Sequence, residues 1–348
     1  MNKYNAAIIG TGRIGFTLGF DKKREQPASH SFALYKNKNI NIVAACDINT
    51  ENLNLWQKHF PHALTFSNAD DMLSFGQTEN GSNFDIIVVA VNEESHLECA
   101  LKAIQARPKI LILEKPVALN LQQAFQIKTE AEKYNVPVMV NHERRFSCDY
   151  KIAKSWMNKI GALQCVNARL FSGLRVYRVQ DEATGFYSLL HDGTHLVDIV
   201  HYLLNYDCET ETLLSNAKLV SVYKDDENAV RNLCVNFEHK NCPDVNVYIS
   251  GRSRFFGFEI EVVGTEGKIE IGNGFSSIYK RAESKLNSGF YSLEKLKSVK
   301  FPRKTGYFSN MIQNAVDFLD GKASLKSTLQ NGIDTLQVLE EMKAFCKE

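Results

Sequence analysis

The sequence predicts an α/β protein in two parts: a doubly wound parallel sheet over residues 1–145, then a large mixed or antiparallel sheet domain over residues 146–348. Three observations predict it. Short, nearly all-apolar runs alternate with helical stretches across residues 4–140, the pattern of buried parallel strands and their crossover helices. The first of those runs discharges into a G-x-G-x-x-G turn. After Cys148 strand follows strand, and several alternate apolar and polar residues as a half-covered sheet requires. A length of 348 residues suits two domains.

Asn5 to Ile9 form the first strand, followed by Gly10-Thr11-Gly12-Arg13-Ile14-Gly15. In this Rossmann arrangement Gly10 makes the turn, Gly12 lets backbone approach a pyrophosphate, and Gly15 lets the following helix lie against the strand. A helix is expected to begin near Arg13, with its N–H groups facing a dinucleotide. Residues 19–27 interrupt that helix with charge and Pro27, and apolar periodicity resumes from Phe32 to Tyr35. The interruption reads as a polar insertion. It is either a solvated loop or a segment that returns Arg24, Ser29 and His30 toward the ligand crevice.

The second strand, Ile40 to Cys46, ends at Asp47, an acid placed to accept hydrogen bonds from the adenosine ribose. Asp47-Ile48-Asn49 offers no Arg or Lys for a 2′-phosphate, so NAD is preferred over NADP. Asp47 could instead cap the helix that starts near Glu51. Helices are expected over Asn52 to Phe60 and Ala69 to Phe75, and Phe84 to Val91 reads as a central strand. It empties into Asn92 and His96, candidates for the nicotinamide or substrate side of the crevice, although His96 could also be a helix-surface histidine. Lys109 to Leu113 is the next strand, closed by Glu114-Lys115-Pro116. Pro116 biases Lys115 away from helical geometry and holds it at the strand tip, where an ammonium can polarise a substrate oxygen. A helix over Leu121 to Tyr134 and a strand over Val136 to Val140 lead to Asn141-His142-Glu143-Arg144-Arg145-Phe146.

In the second part a helix near Tyr150 to Met157 precedes strands at Leu163 to Phe171, Leu213 to Tyr223, Ala229 to Phe237, Val245 to Gly251, Phe256 to Gly264 and Lys268 to Ile271. The exposed face of such a sheet is a common dimer surface. His191 and His195 flank Asp192 and Gly193, ahead of a helix predicted from Thr194. Their spacing alone permits a metal pair, but H-E-x-x-H and a cysteine cluster are both missing, so no metal is expected. Ser284 to Thr305 reads as a solvated excursion. Two helices, Tyr307 to Leu319 and Leu325 to Phe345, end the chain, the last either closing the sheet domain or bracing the nucleotide domain.

Composition narrows the function. A net charge of +1 offers no long-range attraction to nucleic acid or anionic membrane. The glycine turn comes too early for a secretory signal, and no apolar run of about 18 residues or more is present. The eight cysteines lack C-x-x-C spacing, so most are expected as buried small hydrophobes. These features point to a soluble cytoplasmic protein.

GTGRIG at 10–15, EKP at 114–116, NHERRFS from Asn141 and HDGTHLVD at 191–198 together resemble the Gfo/Idh/MocA family, the glucose-fructose oxidoreductase and inositol dehydrogenase group. The resemblance implies hydride transfer between a nicotinamide nucleotide and a sugar, cyclitol or related hydroxy compound, in a homodimer or homotetramer formed through the C-terminal sheets. It implies that Lys115 binds substrate and relays a proton, that His195 is the catalytic histidine, and that Glu114 belongs to the cofactor side. Two departures stand out. His191 occupies a place where family members often carry Asp, and a histidine can orient a hydroxyl or pass a proton but supplies no fixed negative charge. The insertion around residues 20–30 is the second.

The expected arrangement lays NAD over Gly10 to Gly15 and Asp47, its nicotinamide near Asn92 and Lys115, with substrate in the interdomain cleft. Arg144, Arg145, Arg175, Tyr177, Arg178, Tyr187 and Asp192 are candidate substrate contacts, the arginines suiting a carboxylate or phosphate. Two rival readings use the same turn. One is NAD-dependent glycoside cleavage, with His191 or Tyr187 removing a neighbouring carbon proton. The other is a noncatalytic nucleotide-binding regulator.

Overall fold

The apolar runs near the N-terminus are buried on both faces, as parallel strands must be. In the computed structural model, which describes residues 4–78, 81–207 and 211–347, they form β1 (Tyr4–Ile9), β2 (Ile40–Cys46), β3 (Leu64–Phe66), β6 (Ile86–Val89), β7 (Ile110–Leu113) and β8 (Val138–Val140). The six-stranded sheet has the order β3-β2-β1-β6-β7-β8, and every pair is parallel. Strand order reverses between β1 and β6, so the carboxyl ends of β1, β6 and β7 border the switch-point crevice of this topology. The crossover helices are α1 (His30–Lys36), α2 (Thr50–His59), α3 (Ala69–Gly76), α4 (His96–Gln105) and α5 (Leu121–Tyr134), and a two-residue pair, β4 (Gln77–Thr78) with β5 (Gly81–Ser82), lies before β6.

The first crossover differs from expectation. No α-helix starts at Arg13; residues 12–18 make hydrogen-bonded turns, and a 3-10 helix spans Thr17–Phe20. The chain then departs through the insertion and returns to the same helical track. The N–H groups of His30 and Ser31 bond the carbonyls of Ile14 (3.0 Å) and Gly15 (2.9 Å), which residues 18 and 19 would have done in an unbroken helix. The insertion is therefore spliced between the first turn of the crossover helix and α1.

The chain forms two compact units, residues 1–146 with 306–333, and residues 147–305 with 334–348. The sequence reading placed everything after residue 145 in the second part, whereas α9 (Tyr307–Leu319) belongs to the first unit. Its Phe308, Met311, Ile312, Ala315 and Val316 join one core cluster with Ile8, Phe16, Leu34, Trp56, Val88 and Ile112.

In the second unit α6 (Cys148–Trp156) precedes β9 (Leu163–Phe171), and α7 (Ser188–His191) and α8 (Gly193–Leu204) precede the remaining strands. These are β10 (Ser215–Lys224), β11 (Val230–His239), β12 (Cys242–Ser250), β13 (Gly257–Gly264), β14 (Gly267–Gly272), β15 (Phe275–Glu283) and β16 (Tyr291–Lys295), in an eight-stranded sheet of order β10-β11-β12-β9-β13-β14-β15-β16. The sheet is mixed: β12 and β9 are parallel, and the other pairs are antiparallel. Alternation sends Val166, Ala168, Leu233, Val235, Val247, Ile260 and Val262 to the buried face. α8 contacts β9 and β12. Two strands of this unit, like β3, β4 and β5 of the first, were not expected from the sequence. β15 was not foreseen, and the excursion at 284–305 contains β16, an exposed edge strand whose polar residues hide the pairing. Helix α10 (Leu329–Ala344) starts four residues later than the periodicity suggested.

Of the cysteines, Cys46, Cys242 and Cys346 are buried, while Cys99, Cys148, Cys165 and Cys234 are half-buried, so burial is less general than expected. Cys208 lies outside the described residues. Among the described residues no helix is long and apolar enough to cross a membrane.

Candidate active site

The three glycines have distinct physical reasons for being there. Gly10 has φ +97°, and a Cβ on it would stand 2.5 Å from the Ala90 carbonyl oxygen at the end of β6. A Cβ on Gly15 would collide with the Gly10 carbonyl, so helix and strand meet there without room for a side chain. Gly12 has nothing within 4 Å of its Cβ direction. The fold does not need a glycine at that position, so its open side suits the close approach of a ligand.

Asp47 reaches this turn. Its Oδ2 accepts from the Thr11 N–H (2.7 Å) and the Thr11 hydroxyl (3.0 Å), and its Oδ1 accepts from the Asn49 N–H (2.8 Å). The capping alternative is overturned, because Asn49 caps α2 by accepting from Glu51 and Asn52. Arg13 is exposed and Ile14 half-buried beside the turn. Among the described residues, the N–H groups of Gly12, Arg13, Ile14 and Gly15 donate to no protein acceptor. The turn thus presents free donors and an adjacent carboxylate, which fits a dinucleotide pyrophosphate and ribose.

At the end of β6, Asn92 is exposed. His96 is neither on the helix surface nor open to a ligand: it is 1 % exposed, its Nδ1 lies 2.6 Å from the Pro116 carbonyl, and its Nε2 lies 3.2 Å from that of Val91. Burial holds its pKa down, against the raising effect of those two carbonyls. His96 ties the ends of β6 and β7 together.

Lys115, half-buried, follows β7 on the same edge. Its neighbour Glu114 is buried and takes two donors on one oxygen: His30 Nε2 at 2.6 Å and Asn141 Nδ2 at 2.5 Å. Burial opposes ionisation of Glu114. The hydrogen bond and charge of His30, the Asn141 amide and the Lys115 charge outweigh it, and the carboxyl is held below the usual range. The insertion thus does return His30 to the strand tips. Arg24 instead pairs with Asp21 (3.4 Å) and is half exposed, and Ser29 is buried.

Beyond β8, residues 143–146 form a 3-10 turn. Glu143 was not singled out from sequence. Burial pushes its carboxyl up, Arg144 opposes this, and Glu114 adds to it. Asn141 was also missed. Asn141 stands directly after β8 and Glu143 opens the turn just beyond it, so the rule that ligands meet strand carboxyl ends could have flagged them. Arg144 is half-buried, whereas Arg145 is 1 % exposed and is not available as a surface substrate contact.

In the second unit, His191 ends α7, its ring 5.1 Å edge-on from that of Phe186. Asp192 makes the bend, its Oδ2 accepting weakly from the Ser172 hydroxyl (3.4 Å). His195 lies in the first turn of α8, half-buried. The two histidines thus sit on separate helices. Four expected substrate contacts have other partners. Tyr177 and Tyr187 are 3 % and 2 % exposed and pack edge-to-face, and the Tyr177 hydroxyl donates to Glu182 (2.9 Å). Arg178 forks onto Asp181 with two bonds of 2.7 Å, and Arg175 pairs with Glu227 at 2.6 Å. Both tyrosines are held in their neutral form, first by burial and then by nearby carboxylates. Among the described residues no group of three or more His, Cys, Asp or Glu is set to hold a metal ion.

Comparison with known proteins agrees with this geometry. Glucose-6-phosphate 3-dehydrogenase of Bacillus subtilis is 27 % identical over 286 residues, 78 % of this chain and 75 % of that protein. A Desulfitobacterium hafniense protein, named provisionally as an NADPH-dependent oxidoreductase, superposes with TM-score 0.78 at 14 % identity, covering 98 % of this chain and 94 % of that one. The WlbA dehydrogenase of Bordetella pertussis, solved with NADH and UDP-GlcNAcA, superposes with TM-score 0.71 at 16 % identity, covering 99 % and 97 %. Residues 4–142 match the oxidoreductase family with the NAD-binding Rossmann fold. That match covers the N-terminal part of the chain, which is similar to the Gfo/Idh/MocA oxidoreductases.

Proposed function

We propose that this protein is an NAD-dependent dehydrogenase or reductase acting on a hydroxyl or keto carbon of a sugar, sugar derivative or cyclitol. The observation that carries it is Lys115 at the end of β7, beside the buried carboxylate of Glu114 and on the strand edge that presents the glycine turn. The turn from Gly10 to Gly15 would hold the pyrophosphate and Asp47 the ribose. No basic side chain follows Asp47 for a 2′-phosphate, which favours NAD over NADP.

When bound, NAD supplies a nicotinamide carbon that accepts hydride. The chain's own task is the oxygen. Lys115 donates a hydrogen bond to the substrate hydroxyl and favours its developing negative charge, and His195 takes the proton, as the resemblance implies. His191 stands one turn earlier in sequence and would orient the hydroxyl or pass that proton on. Arg144 is the remaining candidate in the first unit for an anionic substituent. The open face of the eight-stranded sheet, with Asn167, Arg169 and Tyr248, is the proposed surface between copies of the chain; its test is the mass in solution by light scattering.

The enzymatic test is NADH formation over a panel of free and phosphorylated sugars and inositols, with calorimetric titration of NAD and NADP. Turnover with one panel member is expected, together with a fall in kcat of about 10²-fold or more in Lys115→Ala. No measurable binding of either nucleotide would sink the reading.

A further inference from the structure

Several carboxylates at the strand-tip end of the first unit are engaged. Asp47 accepts from Thr11 and Asn49, Glu114 from His30 and Asn141, and Glu25 from the Gly306 N–H at 2.6 Å. Glu143 differs. It opens the 3-10 turn just beyond β8, is half-buried, and among the described residues its carboxyl group has no hydrogen bond or ion pair. The charges that act on it are those of Arg144, Glu114, Lys115 and Arg24, so it stands among the groups that follow β7 and β8 and beside the insertion. Tyr307, at the start of α9, borders the same place. Its hydroxyl donates to the Glu25 carbonyl at 3.2 Å, and burial first and then the Glu143 carboxylate keep it neutral.

A carboxyl group kept for structure would be paired. Arg24 meets Asp21 instead, at 3.4 Å, and Arg144, the next residue in the chain, makes no ion pair with Glu143. Leaving a half-buried carboxyl unmatched costs free energy that a bound partner recovers. The surroundings state what that partner is. The three positive side chains near it disfavour an amine, and Glu114 disfavours an anion. A neutral hydroxyl meets neither objection, and a carboxyl oxygen accepts from it in either protonation state.

We infer that Glu143 is a substrate-binding residue, which accepts a hydrogen bond from a second hydroxyl of the substrate, other than the one at Lys115, and so selects polyols in which that hydroxyl is free. The inference rests on the reading of the Lys115 strand tip as the place where the substrate carbon reacts.

The first test is carboxyl footprinting of the whole protein, with and without NADH, using a water-soluble carbodiimide and glycine ethyl ester. Mass spectrometry reads Glu143 against engaged Glu114 and exposed Glu98. Glu143 should label faster than Glu114. Saturating myo-inositol, glucose, glucose 6-phosphate or the panel member that turns over should slow it about threefold or more and leave Glu98 unchanged. This needs no variant and no turnover. The second test compares the panel member that turns over with its monodeoxy analogues. Glu143→Leu should raise KM for the full polyol about tenfold or more with little change in kcat, and Glu143→Gln, which keeps an acceptor, should raise it less. One monodeoxy analogue should be handled alike by wild type and Glu143→Leu. Unslowed Glu143 labelling with every compound overturns the inference. So does an equal loss for every analogue in Glu143→Leu, the mark of a merely structural role. A protein that protects Glu143 but forms no NADH loses only the dehydrogenase reading, and one that forms NADH with Glu143 unprotected loses only this inference.

Discussion

A single Cβ separates the roles of the first two glycines. Gly10→Ala forces a side chain into a left-handed backbone and against the Ala90 carbonyl, so unfolding free energy should drop by about 1–2 kcal/mol or more, seen as a lower urea midpoint. Gly12→Ala meets open space, so its stability should stay within about 0.5 kcal/mol of the parent. Its NAD affinity, measured by calorimetry, should nevertheless fall, because the added methyl occupies the direction from which a pyrophosphate would approach. Asp47→Asn should weaken NAD about tenfold or more by removing a charged acceptor, and should narrow the gap between NAD and NADP. Those three positions were legible from spacing. Tyr177 and Tyr187 were misread for an equally plain reason: an aromatic hydroxyl in a sequence does not show whether its ring is enclosed.

Within the second unit, the C-terminal end of α8 is anchored by a polar network. Asn205 Oδ1 accepts from the Thr212 N–H (2.8 Å), Thr212 Oγ1 meets His239 Nε2 (2.7 Å), and His239 Nδ1 accepts from the Asn241 N–H (3.1 Å). With Nδ1 accepting, Nε2 carries the hydrogen and donates to Thr212. A second proton would face the Asn241 N–H, and burial already holds the His239 pKa below its ordinary value. The sign follows. The folded pKa lies below the unfolded one of about 6.5, so the neutral ring's contribution is complete above that pH and is lost as pH falls through it toward the folded value, by at most about 1.4 kcal/mol per pH unit. Urea unfolding of the second unit between pH 5 and 8 should show that loss, and His239→Gln should flatten it. A stability independent of pH in this window would refute the assignment. His96 acts in the same direction in the first unit. None of this network stood out in the sequence, since its members come from a helix end, a loop and a strand.

At the scale of the whole chain, the first unit is assembled from two separated segments. Without residues 306–333 the core cluster loses Phe308, Met311, Ile312, Ala315 and Val316, and His30 loses its ring contact. Residues 1–146 alone should therefore lack a cooperative thermal transition and fail to bind NAD. The same segment joined by a short linker to residues 306–333 should regain both, measured by circular dichroism and calorimetry. Binding by residues 1–146 alone would show that α9 is dispensable. The Tyr307–Leu319 helix was foreseen to the residue from its periodicity, yet its membership was not. An amphipathic pattern states that one face is buried and leaves open what buries it.

The sequence by itself determined the parallel sheet, the glycine turn with Asp47 and the lysine at a strand tip, because each depends on residues adjacent in the chain: an apolar run, a fixed glycine spacing, a proline after a lysine. Tertiary structure decided what depends on distance. It broke the expected helix after Gly15 and resumed it at His30, joined His30, Glu114 and Asn141 on one buried oxygen, buried His96 against two carbonyls, and gave α9 to the first unit. Such contacts hold residues tens to hundreds of positions apart, and their energy comes from burial and paired charge, which local pattern does not encode.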